Sequence, residues 1–105
     1  MGKKDNLKKE LQKFAKRISN EIDIEKIILF GSRATDDFGE NSDVDLIIIS
    51  DDFDGMNFFE RVKKMYDFWE IELPVDFICY TKNEFNNLKK GVTLASIALK
   101  KGIEI

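Results

Sequence analysis

Phe30-Gly31-Ser32-Arg33-Ala34 and Asp43-Val44-Asp45-Leu46, with ten residues between Ser32 and Asp43, are the stretch on which the reading of the fold turns. Glu25 to Phe30 is a short apolar, β-branched run that Gly31 ends, which predicts a strand followed by a tight turn. Asp43 to Ser50 predicts a second strand, and its Ile47, Ile48 and Ile49 are apolar without alternation, so both faces are expected to be covered there. Residues two apart on a strand share a face. Asp43 and Asp45 therefore present carboxylates side by side, with Val44 and Leu46 turned into the core.

Working outward, Leu7, Leu11, Phe14, Ile18 and Ile22 recur at helical spacing with Ala15 beside them, predicting an amphipathic helix over about residues 5–22. Phe58, Val62, Met65, Trp69 and Leu73 predict another over about 55–71, with Phe59 and Tyr66 widening its buried face. Pro74 stops that helix, and Val75 to Tyr80 predicts a third strand. Thr81 and Glu84 form a capping-box pattern for a short helix ending near Gly91. Thr93 to Lys101 reads as helical, Gly102 ends it, and Ile103-Glu104-Ile105 is expected to add a terminal edge strand. The order of elements predicts a small α/β domain with helices packed on its sheet, and residues 1–105 are expected to form one domain.

Composition narrows the class. With 43% hydrophobic and 35% charged residues, the chain has a folded core under a heavily charged surface, which argues against disorder. Its single cysteine, Cys79, sits in a strand interior and reads as a buried structural thiol. No apolar run approaches the roughly 18–20 residues of a membrane span, and the N-terminus has no signal-peptide pattern, so a cytoplasmic protein is expected. There is no histidine, which excludes histidine-based catalysis and histidine metal ligation. The net charge of −3 is unevenly spread: Lys3, Lys4, Lys8, Lys9, Lys13, Lys16 and Arg17 crowd the first helix, whereas every charged residue from Asp36 to Glu60 is acidic. A solvated helix face accounts for the basic run, with a nucleic-acid patch as the alternative.

The acidic middle asks for a cation. If the Val75–Tyr80 strand lies beside the Asp43–Ser50 strand, Asp76 completes a cluster of three carboxylates that would raise one another's pKa. Mg²⁺ takes such hard oxygen ligands, commonly together with substrate phosphates, and two ions could clamp a displacement at phosphorus. Gly31 and Ser32 supply a turn that a phosphate can approach, with Ser32 able to cap a following short helix. Arg33 could neutralise triphosphate charge. Neither G-x-x-x-x-G-K-[ST] nor G-x-G-x-x-G occurs, so a P-loop and a Rossmann site are both excluded. Asp51-Asp52 after the strand fits an N-cap or a solvated loop better than a phospho-receiver acid pair.

Gly31-Ser32-Arg33-Ala34 and Ser42-Asp43-Val44-Asp45-Leu46 resemble the signature of the DNA-polymerase-β-like nucleotidyltransferases, and within them the minimal nucleotidyltransferases of the antitoxin type. The resemblance implies a mixed β-sheet flanked by helices. It implies two Mg²⁺ ions held at Asp43, Asp45 and Asp76, with the nucleoside triphosphate, ATP, gripped at Gly31, Ser32 and Arg33. It also implies transfer of AMP to an acceptor hydroxyl, with Asp76 on the ion that activates the acceptor. Small members are often paired with a HEPN toxin, so a toxin tyrosine is the implied acceptor. A non-catalytic antitoxin, and an enzyme acting on a small molecule or an RNA end, are the alternatives. A homodimer is also compatible with the sequence. In one respect the chain departs from the pattern: Thr35-Asp36-Asp37-Phe38-Gly39 stands where many relatives continue with an arginine and a glycine.

Overall fold

The computed structural model describes residues 3–34, 43–91 and 93–105. The run containing Asp36 and Asp37, whose effect on a triphosphate the sequence raises, lies outside the described residues.

Four strands form one mixed sheet in the order β3-β2-β1-β4. β1 (Lys26–Phe30) and β2 (Val44–Ile49) pair antiparallel, with Phe30 opposite Asp45. β2 and β3 (Val75–Tyr80) pair parallel, with Asp45 opposite Asp76. A parallel neighbour needs a crossover, and α2 (Phe58–Tyr66) provides it. β4 (Ile103–Glu104) adds the edge expected from the terminal isoleucines, antiparallel to β1. The fold class is the mixed α/β arrangement that the sequence predicts.

Side-chain alternation divides the core between the two faces. On one, α1 (Lys3–Ser19) lays Leu7, Leu11, Phe14 and Ile18 against Val44, Leu46, Ile48 and Phe77, and α2 adds the fully buried Met65. Phe77 is the hub, touching Phe14, Tyr66 and Trp69 with ring centroids 5.8, 5.1 and 5.5 Å away. Each such aromatic pair contributes roughly 0.5–1.5 kcal/mol beyond its area. On the other face, α3 (Lys82–Leu88) and α4 (Leu94–Lys101) cover Ile28, Ile47 and Ile49 through Phe85 and Ala98. The unbroken Ile47-Ile48-Ile49 run is therefore buried from both sides, as expected. None of the described helices is long and apolar enough to cross a membrane.

Capping sets most helix ends. Thr81 and Glu84 exchange the predicted reciprocal bonds at α3, and Thr93 caps α4. Asn57 and Glu60 form another capping box, which starts α2 at Phe58 rather than near residue 55. That start corrects part of the expected core stripe: Phe58 is 60% exposed and Phe59 84% exposed. Met65 and the partly buried Val62, Phe68 and Trp69 carry the packing instead. α1 also stops earlier than predicted, at Ser19, although a further turn still buries Ile22. The chain is drawn off the helix axis there, because the Asp52 carboxylate accepts from Asp23 N (2.7 Å) and Ser50 Oγ donates to Asp23 O (2.6 Å).

Arg61 was not singled out by the sequence, yet it ties α2 to α3. It donates to both Glu84 carboxylate oxygens (2.6 and 3.3 Å) and to Cys79 O (3.1 Å). Cys79 is buried, as expected, and burial pushes its thiol up to about 12.

Candidate active site

Three strand ends converge where β1 finishes and β2 and β3 begin. Asp45 is the second residue of β2 and Asp76 the second of β3, and their direct pairing puts both carboxylates on the same face. That face is the one covered elsewhere by α3 and α4, since Leu46 and Phe77 turn into the opposite core. Val44 N donates to Pro74 O (2.8 Å), which locks the two strands together at this end. Asp43 stands one residue ahead of β2, exposed, not inside the strand as predicted.

Gly31 is built into the same site. Its φ of +75° belongs to the left-handed region, and a Cβ placed on it would collide with the Asp45 carboxylate. Glycine is thus required twice over, for its backbone and for the space that Asp45 occupies. Ser32, exposed, opens a three-residue 3-10 turn with Arg33 and Ala34 and does not cap it from outside. A single turn lacks the dipole of a longer helix, so any pull on a phosphate comes from the turn's local N–H groups and not from a macrodipole. Arg33 is 5% exposed and engaged with neighbouring residues.

The electrostatics identify Asp45 as the strained member. Its carboxyl is held above the ordinary 3.8, first by burial and then by the charges of Asp76 and Asp43. The three acids expected to cooperate thus already feel one another. Among the described residues, no group of three acidic, histidine or cysteine side chains stands ready-made to hold an ion. In chemistry the donor set fits a hard divalent cation: the ligands are oxygens only, and a cation would offset both the burial of the Asp45 carboxylate and its repulsion by Asp76 and Asp43.

Compared with known proteins, residues 7–104 match the family model described as a nucleotidyltransferase domain. The chain belongs to the nucleotidyltransferase domain family. A crystal structure from Sulfolobus solfataricus, provisionally described as a nucleotidyltransferase, matches with 24% identity and a TM-score of 0.59. The match covers 99% of this chain and 87% of that one, and at this identity it speaks for the fold. No curated protein matches. Nucleotidyl transfer is the chemistry of the domain. Within this nucleotidyltransferase domain the Gly31 turn and the facing Asp45 and Asp76 form the one strand-end cluster in which a glycine-backed turn meets paired acids among the described residues.

Besides Arg61, Asn57 goes unmarked in the sequence analysis, and Tyr66 appears there only as part of an apolar helix face. Asn57 could have been found, because Asn57-x-x-Glu60 is itself a capping pattern. Tyr66, expected on the buried face, is 47% exposed, and its hydroxyl donates to Val75 O (2.5 Å), a contact that only the docking of α2 on β3 creates.

Proposed function

We propose that this domain transfers AMP from ATP, with Mg²⁺, to a hydroxyl of a partner protein, a tyrosine of a HEPN-type toxin to which it acts as a cytoplasmic antitoxin. The observation that carries the reading is the direct pairing of Asp45 with Asp76 beside a glycine whose missing Cβ makes room for the Asp45 carboxylate. The toxin partner rests on the resemblance of the Gly31-Ser32 and Asp43-Asp45 motifs to the minimal nucleotidyltransferases.

Asp43, Asp45 and Asp76 would hold the ions, which when bound supply charge neutralisation at the phosphates and a lower pKa for the acceptor hydroxyl. The Gly31-Ser32 turn receives the triphosphate through its exposed backbone and the Ser32 hydroxyl. The acceptor oxygen then bonds to the α-phosphorus, the bond from that phosphorus to the β-phosphate oxygen breaks, and pyrophosphate leaves. Asp76, the more exposed of the paired acids, faces the acceptor side and takes its proton directly or through water. The chain's task is positioning and charge control, which a small domain can perform.

Incubating the protein and its partner with α-labelled ATP and Mg²⁺ is expected to label the partner, with pyrophosphate as the second product. Asp45→Asn should abolish the label. Persistent labelling by that variant would overturn the site assignment.

An RNA-end acceptor has one observation in its favour: Lys9, Lys13 and Lys16 line a surface groove with Gln12 and Ile105. That groove lies along α1, which packs on the sheet face opposite the carboxylates. RNA bound there would have to pass round the β4 edge to reach them. RNA binding that falls steeply with salt, together with labelling of an RNA end, would favour this second reading.

A further inference from the structure

We infer that Tyr66 is a positioning residue for the Asp76 carboxylate. The inference rests on the reading of Asp43, Asp45 and Asp76 as the metal-holding acids. Tyr66 lies on α2, 47% exposed, so hydrophobic burial does not explain its placement. Two contacts do. Its hydroxyl donates to the carbonyl of Val75 at 2.5 Å, and its ring meets the Phe77 ring edge-on at 5.1 Å. The residues it grips are thus the two chain neighbours of Asp76, one through the backbone and one through the side chain.

The bracket matters because of where Asp76 sits. It is the second residue of β3, at the strand's frayable start, and β3 is the edge of the sheet. On the β2 side, the Val44 N to Pro74 O bond holds this start. On the outer side, where none of the described strands lies, Tyr66 holds it. Val75 and Phe77 are buried and Asp76 is exposed, so a backbone fixed on both flanks aims the carboxylate between them toward Asp45. Supporting groups of this kind commonly tune a site several-fold without touching the ion.

Mn²⁺ is the probe, its binding to the full chain followed by calorimetry and by the loss of the free-ion electron paramagnetic resonance signal. Tyr66→Phe keeps the ring on Phe77 and removes only the hydroxyl. It is expected to weaken Mn²⁺ binding by roughly three- to tenfold. Cys79→Ala, at the far end of the same strand, controls for lost stability: it should lower the urea midpoint and leave Mn²⁺ affinity within about twofold. Tyr66→Phe binding Mn²⁺ like the parent, while Asp76→Asn loses it, would overturn the positioning role and leave the metal site standing. Mn²⁺ binding unaffected by both Asp45→Asn and Asp76→Asn would overturn the metal site and the positioning role together. An equal weakening by Cys79→Ala and Tyr66→Phe would reduce Tyr66 to a general stabiliser, and that also overturns the inference.

Discussion

Replacing Asp45 with asparagine should stabilise the apo protein while removing its chemistry. Asp45 and Asp76 are register partners on neighbouring strands, about 4.8 Å apart by sheet geometry. Two unit charges at that spacing repel by about 0.9 kcal/mol in water and about 3.5 kcal/mol at an effective dielectric of 20. Asp76 is exposed and screened, so the lower figure governs, and about 1 kcal/mol is expected from the substitution. For a domain of this size that is a rise in Tm of about 4–8 °C. The assay is thermal unfolding followed by circular dichroism in EDTA, across pH. Because the folded state holds the Asp45 carboxyl above 3.8, the parent suffers the full penalty above that raised pKa. The penalty shrinks as pH falls through it and is gone below the unfolded value. The advantage of Asp45→Asn should therefore be largest near pH 7 and vanish near pH 3. Added Mg²⁺ should raise the Tm of the parent and leave the variant unmoved. An Asp45→Asn variant melting at or below the parent in EDTA at pH 7 would refute the reasoning.

Gly31→Ala should lower stability by about 1–2 kcal/mol from its left-handed backbone alone, with a further loss from the Cβ against Asp45, read as a drop in the urea midpoint. Cys79 should resist a thiol reagent at pH 8 in the native state and react at once in urea, because its thiol is buried and pushed up to about 12. Glu84 is held below its usual 4.5 chiefly by its hydrogen bond from Arg61, so its contribution is present above that value and lost as pH falls through the depressed one. Glu84→Gln should accordingly flatten the acid limb of the stability profile while lowering the Tm at pH 7, and an unchanged acid limb would contradict this.

What could be read in advance depended on the range of the interactions concerned. β1, β2 and β3 were visible because short β-branched runs bounded by glycine and proline carry their own local signal. The pairing of Asp45 with Asp76 was conditional, since only the crossover through α2 makes β2 and β3 neighbours. Phe58 and Phe59 show where periodicity fails. A 3.6-residue repeat fixes an angle about the helix axis but not the point along it where the sheet beneath runs out. Phe58 overhangs a groove walled by Met56, Arg61, Tyr80 and Leu88 instead of filling the core. Arg33, expected to neutralise triphosphate charge, is itself buried, because the 3-10 turn folds back against β1 and β2. Nothing in the local sequence signals that burial.

The two side chains lying along β3 also decide how the molecule meets others. The β3 groups that bond β2 belong to alternate residues, Pro74 and Tyr80 among them, so the carbonyls of Val75 and Cys79 face away from the sheet. Tyr66 occupies the first and Arg61 the second. A foreign strand seeking to extend the sheet there would have to displace a phenol and a guanidinium already committed to those acceptors. Edge-to-edge pairing is thereby discouraged along β3, where both of those outward carbonyls are already committed to side chains of α2.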